Sequence, residues 1–529
     1  MHPGSLTSPL IAPAAADDLL TRATALLGDV SDRFYGGLLA WLLIAAGVYF
    51  TVRTRGVQVR HLRNMLVTIL GSRGGSREGI SSFQAFAVGI ASRVGTGNII
   101  GVAIAVTMGG PGAVFWMWVV ALLGMATGFV ESTLAQLYKV PAGDGSFRGG
   151  PAYYISRGLG SRTWAGIFAV VITFVFGFAY EATQANAISS ILYDTYEVPK
   201  WVTAVGLLVL TAPIIFKGIR RVARIAEWVA PLMALAYALL ALAVLAVQVE
   251  RIPEALAQIL QGAFGLKSAF YGIGGGLYAA VLNGVKRGLF SNEAGEGSVP
   301  NVAATATTSH PVNQGFIQSM GVFVDTIIVC TATALIVLLS GVYDPMRALV
   351  SPEAAAAAKA AASSLTSDSV ASVLGPWAST LMVLIVFVFA YSSLLGNFTY
   401  AEINVDFLRG SNKDHTWLRF MILVATAVGS MASLNFVWNL SDIAMGLMAI
   451  INIVAITLLG KWALGALHDW EAQNRAVRAG LQDEIVFVST ANPCMPGELP
   501  GDVWSLDGAA HAGAPVAREM VAEGAEVVR

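Results

Sequence analysis

The sequence predicts an all-α integral membrane protein with eleven spans, in which two inverted five-helix halves follow one extra amino-terminal helix. Hydrophobic residues make up 56% of the 529-residue chain and charged residues only 12%, whereas soluble domains carry roughly 25% charged residues. Apolar segments of about 20 residues, long enough to cross a bilayer as helices, recur along the chain. Two of them are interrupted at corresponding places by glycines and charged residues. These observations disfavour a water-soluble fold.

The elements follow in order from the amino terminus. Residues 1–34 lack the basic start and the apolar core of a secretory signal and are predicted to form an extracytoplasmic arm. The first span, Tyr35 to Val52 (35–52), stands apart as the extra helix. The other ten are Ser82 to Met108, Gly112 to Tyr138, Trp164 to Leu192, Trp201 to Phe216, Glu227 to Val249, Phe270 to Ser309, Gly315 to Val342, Trp377 to Phe407, Trp417 to Asn435 and Asp442 to Leu464. They form two blocks of five, 82–249 and 270–464.

Two further segments differ from the spans in composition. Ser351 to Ser369 contains a run of alanines but is too short and too often interrupted to span, so we expect an external helical cap or loop. From residue 469 the chain becomes polar and rich in Ala, Gly and Pro. We therefore expect residues 469–529 to form a largely disordered cytoplasmic tail.

Basic residues alternate between the connections, as they do when cytoplasmic loops collect Lys and Arg. The connections that follow the first, third and fifth spans hold six, four and four of them and the one that follows the seventh holds none, whereas no connection on the opposite side holds more than two. This bias places the amino terminus outside and the carboxyl terminus in the cytoplasm. We expect a multi-pass protein of the plasma membrane, which is the inner membrane in a bacterium.

The segments Ser92 to Asn98 and Phe290 to Ser298 interrupt the first span of each block at mid-membrane depth. Interruptions at matched places in two halves are typical of inverted-repeat transporters whose site lies at the midplane. Unwound backbone offers carbonyls to a cation, and the amides that open the next half-helix suit a carboxylate. A cation and a zwitterionic amino acid would together use both kinds of group.

The glycines in these segments could instead only allow close helix packing, as small residues do in membranes. That interpretation leaves Arg93, Glu293 and Glu296 unexplained, because charges at this depth are costly unless they are paired or hydrated. A net charge of −1 argues against nucleic acid as a partner. The two cysteines, Cys330 and Cys494, have neither metal-ligand spacing nor the pattern of a disulfide framework.

Other ionisable residues lie inside predicted spans. Glu131, Glu181 and Asp325 could be structural partners of the basic residues Arg93, Lys286 or Arg287, or they could form a proton relay. His310 precedes Pro311 at a predicted cytoplasmic helix end, which favours a solvated or capping role over a ligand role.

Three blocks of sequence carry a resemblance to a known family. They are Val94-Gly-Thr-Gly-Asn-Ile99, Gly109-Gly-Pro-Gly-Ala-Val-Phe-Trp-Met-Trp118 and Phe290-Ser-Asn-Glu-Ala-Gly295. With these blocks the chain resembles the alanine/glycine:cation symporter (sodium:alanine symporter) family over about Tyr35 to Leu464. The resemblance implies a LeuT-like fold, that is, a 5+5 inverted repeat preceded by one extra helix. It also implies sodium-coupled uptake of alanine or glycine.

The resemblance also implies site residues. A sodium ion would be held by the carbonyls of Ala91, Val94 and Phe389 and by the hydroxyls of Ser392 and Ser393, although the two serines could serve only in hydrogen bonding between or within helices. The candidate substrate residues are Thr96, Gly97 and Asn98 for the carboxylate, Phe290, Ser291 and Asn292 near the amino group, and Gln184 and Asn397 closing the pocket. The last two could also only join helices.

The function expected from these features is secondary active symport of sodium and a small neutral amino acid by alternating access, without a covalently bound cofactor. The partners would be the amino acid, sodium and the lipid bilayer, with the chain a monomer or weak oligomer. Proton coupling on the same fold is one alternative, and a transporter-like channel or nutrient sensor is another. A membrane enzyme using Glu293 and Glu296 is disfavoured because no His or Cys nucleophile accompanies them.

Overall fold

The structure is a computed structural model that describes residues 13–72, 80–143, 145–264, 273–345, 351–410 and 415–511. Within them, seven helices are long and apolar enough to cross a membrane, or eight if one bent pair counts as a single span. Three shorter apolar helices accompany them. The helical membrane architecture is confirmed, and the count of eleven spans stays a prediction.

The helices of the first half of the chain have the following bounds. They are α1 (Pro13–Phe34, continued by the π-helical turn Tyr35–Leu39 and by Ala40–Arg53), α2 (Val57–Arg60), α3 (Leu62–Gly71), α4 (Ser82–Arg93), α5 (Gly97–Gly109), α6 (Gly112–Leu137), α7 (Pro151–Gly158), α8 (Arg162–Tyr196), α9 (Lys200–Ile215), α10 (Ile219–Val247) and α11 (Ile252–Ala263).

The second half continues the series. Its helices are α12 (Ile273–Asn292), α13 (Val299–Thr305), α14 (Pro311–Leu339), α15 (Pro352–Leu374), α16 (Trp377–Arg409), α17 (Thr416–Met431), α18 (Leu434–Arg478) and α19 (Leu506–His511). Two short strand pairs are present in the described residues: β1 (Ile80–Ser81) runs parallel to β4 (Ala306–Thr307), and β2 (Val140–Pro141) runs antiparallel to β3 (Phe147–Arg148).

The β1–β4 pair ties the start of the first broken span to the end of the second. Ile80 pairs with Ala306 and Ser81 with Thr307. The next helix, α4, begins with a capping box: Ser81 Oγ accepts a hydrogen bond from Gln84 N at 3.1 Å, and Gln84 Oε1 accepts one from Ser81 N at 3.1 Å. Two otherwise unpaired amides of the helix start are satisfied in this way.

Helix α6 lies in the centre of the molecule and packs against α12, α13 and α14. Small residues allow some helices to approach closely, as expected in membranes. A Cβ on Gly429 of α17 would lie 2.4 Å from Ala182 Cα of α8, and one on Gly396 of α16 would lie 2.9 Å from Ser92 Cα of α4. The second approach brings α16 directly onto the first break.

Residues 13–34 of the predicted extracytoplasmic arm are helical and run as one helix into the extra span, and the extracytoplasmic placement of 1–34 stays a prediction. The carboxyl-terminal segment is more ordered than expected. A largely disordered tail over 469–529 is wrong for residues 469–511: α18 continues to Arg478, and Phe487 and Trp504 beyond it are buried. The segment Ser351 to Ser369 lies within α15 and is helical. Residues 512–529 lie outside the described residues.

Candidate substrate and cation site

The first break separates α4 from α5, which meet at an angle of 49°. Two backbone amides of the break donate hydrogen bonds to side-chain oxygens. Gly95 N donates to Asn98 Oδ1 at 3.0 Å, and Thr96 N donates to Gln184 Oε1 of α8 at 3.2 Å. Thr96 Oγ1 is buried and finds no hydrogen-bond partner within the described residues. The break therefore keeps one hydroxyl available for a ligand.

The second break covers residues 293–298 between α12 and α13. Its backbone enters the left-handed region at Glu293 (φ 55°), Gly295 (φ 90°) and Gly297 (φ 87°). A buried carboxylate supports this loop: Glu131 of α6 accepts from Gly295 N at 3.0 Å and from Asn452 Nδ2 at 2.7 Å. Asn452 in turn donates to Gly295 O at 3.0 Å, so both polar groups of that glycine have partners.

Asn98, in the first turn of α5 directly after the first break, contacts residues close to the second break. Its amide nitrogen donates to Ser291 Oγ at 3.0 Å and to Asp325 Oδ1 at 2.6 Å. Gly97 allows the close approach, because a Cβ there would lie 2.9 Å from Phe290 Cδ1. The two interrupted spans thus meet, as the sequence predicts.

The predicted substrate residues divide into two groups. Thr96, Gly97, Asn98, Gln184, Phe290 and Ser291 surround the junction of the breaks. Phe290 packs between Tyr180 and Trp438, with ring centroids 4.7 Å and 4.6 Å away. Asn292 is instead engaged locally, since its Oδ1 accepts from Ala294 N at 3.0 Å and its Nδ2 donates to Thr326 Oγ1 at 3.3 Å.

Asn397 lies on the other side of the first break. Its Oδ1 accepts from Ser92 Oγ at 3.3 Å, and its Nδ2 donates to Glu181 Oε2 at 3.3 Å. Ser92 Oγ also lies 3.2 Å from Glu293 Oε1. Asn397 is therefore part of a polar chain that links both breaks, and its role in closing a pocket stays a prediction.

Four of the five predicted sodium ligands come together between α4 and α16. Ser393 Oγ lies 3.0 Å from Ala91 O and 3.1 Å from Phe389 O, and Ser392 Oγ lies 3.3 Å and 2.9 Å from the same carbonyls. The Ser393 hydroxyl also donates to Ser92 O at 2.8 Å, and no hydrogen bond joins either serine to Val94 O in the described residues. Val94 is buried in the bend, outside this hydrogen-bonded cluster.

The predicted pairing of buried charges is not what the described residues show. Arg93 donates to the side chain of Gln318 at 2.5 Å, Lys286 pairs with Asp32 at 2.5 Å, and Arg287 pairs with Asp442. The carboxylates expected as their partners, Glu131, Glu181 and Asp325, accept hydrogen bonds from neutral groups. The amide side chains provide local partners that the sequence did not identify.

His310 caps α14 and is not solvated. Its Nδ1 accepts from Val312 N at 3.2 Å, and its Nε2 lies 3.1 Å from Asp469 Oδ2. The side chain is fully buried. Desolvation lowers its pKa below the ordinary value, which the nearby Asp469 only partly offsets. The capping prediction is confirmed, and the solvated alternative is wrong.

Two residues central to the second break, Glu131 and Asn452, were not predicted as part of the site. Asn452 lies in a predicted apolar span, where a buried amide is costly without partners. That cost is the signal that could have marked it. The sequence does not reveal which backbone group such a side chain satisfies.

A sequence model of the sodium:alanine symporter family matches residues 20–484. The chain is 44% identical over 451 residues to "Amino-acid carrier protein AlsT" of Bacillus subtilis (84% of this chain, 92% of that protein). It is 42% identical over 452 residues to "Probable sodium/glutamine symporter GlnT" of the same species (85% and 91%).

A third relative is the "Sodium/proton-dependent alanine carrier protein" of Bacillus sp. (strain PS3), 34% identical over 403 residues (75% of this chain, 89% of that protein). Among solved structures, MhsT in complex with L-phenylalanine covers 85% of this chain and 100% of its own, with a TM-score of 0.53 and 15% identity. That similarity shows the LeuT-like fold alone.

Proposed function

The chain belongs to the sodium:alanine symporter family, and on this premise we propose that it carries a small neutral amino acid, alanine or glycine, into the cell together with sodium. Relatives and fold neighbours are transporters, so the chain is a multi-pass membrane transporter for a small molecule and a cation and not an enzyme. The proposal of sodium-coupled transport of alanine or glycine is supported by one observation, the junction of two broken helices beside a cluster of uncharged oxygens.

The oxygen cluster supports sodium as the coupling ion. Ser392 and Ser393 place two hydroxyls against the carbonyls of Ala91 and Phe389. A hard cation favours such oxygens, and this set adds no negative charge that would have to be neutralised when the ion leaves. If the serines served only in hydrogen bonding within and between helices, the same contacts would be present but uptake would not depend on sodium.

The first break supports an amino acid as the cargo. The positive end of α5 and the Thr96 hydroxyl, which has no hydrogen-bond partner in the described residues, suit a carboxylate, and the ring of Phe290 and the hydroxyl of Ser291 lie beside them. Gly95 and Gly97 let the protein's own side chains pack directly against the break, since a Cβ on Gly95 would lie 2.3 Å from Ser393 Oγ, and such tight packing leaves little room for a large substrate. Relatives are named for alanine and for glutamine transport, so size selectivity has to be tested directly.

Proton coupling is the second candidate because carboxylates line the other break. Glu293 accepts from Ser298 Oγ at 2.8 Å, and Glu296 accepts from Tyr180 OH at 3.1 Å while its second oxygen finds no partner in the described residues. One relative is named for both sodium and proton dependence. A buried carboxylate that gained and lost a proton in each cycle would give that behaviour.

We propose that the protein lies in the plasma membrane, and the basic connections support an orientation with the amino terminus outside and the carboxyl terminus in the cytoplasm. In this orientation the membrane potential drives inward movement of the cation. One charge crossing 100 mV contributes about 2.3 kcal/mol, which corresponds to roughly 50-fold accumulation.

The proposal is tested with purified protein in proteoliposomes. Uptake of labelled alanine is measured with a sodium gradient at equal pH and, separately, with a pH gradient in sodium-free buffer, with protein-free liposomes as the control. Accumulation driven by sodium alone is expected. Uptake that follows only the pH gradient would indicate proton coupling through the buried carboxylates. The absence of accumulation against a gradient would favour a channel or sensor.

The amino acid is identified by competition. Glycine, D- and L-alanine, serine and glutamine are added in excess to the labelled-alanine assay. Glycine and alanine are expected to compete most strongly. Stronger competition by glutamine would contradict the proposal of a small substrate.

A further inference from the structure

The segment 485–505, which we call the strap, folds back onto one face of the membrane domain after α18 ends. Phe487 and Trp504 are its fully buried residues, and their rings pack edge to face with centroids 5.4 Å apart. Ser489 joins the two ends of the strap, because its backbone N donates to Trp504 O at 2.8 Å. The strap begins one residue beyond the family match, which ends at residue 484.

The strap binds several elements at once. Phe487 N donates to Ser309 O in the link between α13 and α14 at 3.0 Å, and Trp504 Nε1 donates to Gln136 O near the end of α6 at 2.8 Å. Pro500 O accepts from Arg157 of α7 at 2.5 Å. The strap is also tied to α18, because Gln473 donates to Val486 O at 2.7 Å and accepts from Val486 N at 2.8 Å.

A buried lysine connects the strap to the second broken span. Lys139 is 1% exposed, and its ammonium donates to Ala306 O at 3.0 Å, directly after α13. The rings of Phe147 and Trp504 cover the same ammonium, with centroids 4.0 Å and 4.8 Å away. Desolvation lowers the pKa of Lys139 well below its ordinary value. Lifting Trp504 would therefore expose this lysine to water.

Ala306 is also the residue of β4 that pairs with Ile80, directly before α4 begins. The ends of both broken spans therefore meet on the face that the strap covers. In a transporter with an inverted repeat, access on one face opens when groups of helices move relative to one another around the central site. A segment that bridges α6, α7, α18 and the α13–α14 link opposes such a movement.

We propose that the strap is an intramolecular brake that binds the cytoplasmic face, keeps the exit from the site closed while it is docked, and is released when the protein opens inward. This inference rests on the proposed transport function and on the proposed orientation. Releasing the strap should raise the rate of inward opening without altering the residues that contact cation and substrate.

Cys494 in the strap gives a natural probe of docking. It is partly buried beside α18, where a Cβ on Gly465 would lie 2.5 Å from Cys494 O. The other cysteine, Cys330, is buried near the central site. The purified protein is labelled with a maleimide, and mass spectrometry identifies which cysteine carries the label. Labelling of Cys494 therefore reports on the strap, and labelling of Cys330 reports on the central site.

The experiment compares Trp504→Ala, Trp504→Phe and a chain ending at residue 484 with the natural chain. Trp504→Ala is expected to raise the Cys494 labelling rate at least tenfold. Trp504→Phe, which keeps a ring over Lys139 but loses the indole donor, is expected to give a smaller increase. Glu498→Ala changes an exposed residue of the same segment and serves as the matched control.

Opening of the face is followed independently of transport by labelling Val302→Cys, a site 1% exposed in α13. Its labelling rate and the alanine counterflow rate should both rise several-fold in Trp504→Ala and in the shortened chain. Faster Cys494 labelling with unchanged or slower Val302→Cys labelling would overturn the brake. Failure of the transport proposal would appear differently, as an intact chain that moves no alanine while Val302→Cys still responds to strap release.

Discussion

The two breaks at the centre of the molecule differ in length, charge and support. The first, 94–96, is short, contains no charged side chain, and is held by the amide side chains of Gln184 and Asn98. The second, 293–298, is twice as long, contains two carboxylates, and uses three residues with positive φ. The inverted halves therefore share the place of the break but not its chemistry.

This difference indicates that the two breaks have different roles. Uncharged oxygens gather where α16 meets the first break, which suits a cation that must leave in every cycle. The second break is anchored by Glu131 and Asn452 from α6 and α18, so its loop is held in one conformation by the surrounding helices. We expect substitutions at the second break to affect folding most, and those at the first to affect ion dependence.

The largest effect is expected for Gly297→Ala in the second break. Gly297 has φ 87°, and an added Cβ would lie 2.8 Å from both Asn452 Cγ and Pro151 Cγ. Strain and overpacking together should lower the free energy of unfolding by about 3 kcal/mol or more. Thermal unfolding of the purified protein measures this loss. Gly206→Ala, where an added Cβ meets nothing within 4 Å, is the control, and equal stability of the two variants would contradict the role assigned to Gly297.

Glu131→Gln should have the next largest effect. The two donors, Gly295 N and Asn452 Nδ2, bind different oxygens of Glu131, and a carboxamide replaces one of these oxygens with an NH2 group that would face a donor. We expect a loss of about 2 kcal/mol in stability and an alanine uptake rate reduced at least tenfold. Glu250→Gln, at an exposed site, should leave both quantities unchanged. If Glu131→Gln had the same free energy of unfolding as the natural chain, the second break would not depend on this carboxylate.

Ser393→Ala tests the first break. Loss of a hydroxyl that contacts Ala91 O and Phe389 O should raise the sodium concentration for half-maximal uptake about tenfold, a change of about 1.4 kcal/mol. Ser430→Ala removes another buried hydroxyl, one that donates only to Thr426 O in its own helix in the described residues. An equal shift in both variants would mean that the Ser393 hydroxyl is structural, as in the backbonding alternative.

The smallest effect is expected for Ser92→Ala, which removes the hydroxyl between Glu293 and Asn397. A single neutral donor is worth about 1 kcal/mol, so the uptake rate should fall only a few-fold. The double variant with Asn397→Ala provides a coupling energy, which we expect to exceed 0.5 kcal/mol in magnitude for residues in contact. Strictly additive effects would show that the two breaks are not linked through this chain.

The helices and their breaks could be predicted because both follow from local sequence. An apolar run of sufficient length must satisfy its own backbone in lipid and forms a helix, and the glycines and charges near Gly95 and Glu293 mark where the helix stops. The extents of α1 and α18 could not be predicted in this way. The polar composition after residue 469 favours disorder, and two large apolar residues, Phe487 and Trp504, are too few to predict a folded segment. They are buried because they pack against the membrane domain.

The residues around the breaks were predicted in part for the same reason. Thr96 in the first break and Asn98 directly after it are identified by their neighbours in the chain, whereas Glu131 and Asn452 act on a loop more than 150 residues away in sequence. Their side chains could satisfy many different groups, so their partners depend on how the helices pack.

The sequence by itself determined that this protein is a membrane-embedded bundle with two interrupted helices, since lipid leaves the backbone no other way to satisfy its polar groups. Only the tertiary structure decided which carboxylates pair with arginine and which with amides, and that the carboxyl-terminal segment returns to cover the ends of both broken spans. Those choices depend on distances between residues far apart in the chain, which hydrophobic pattern and composition do not encode.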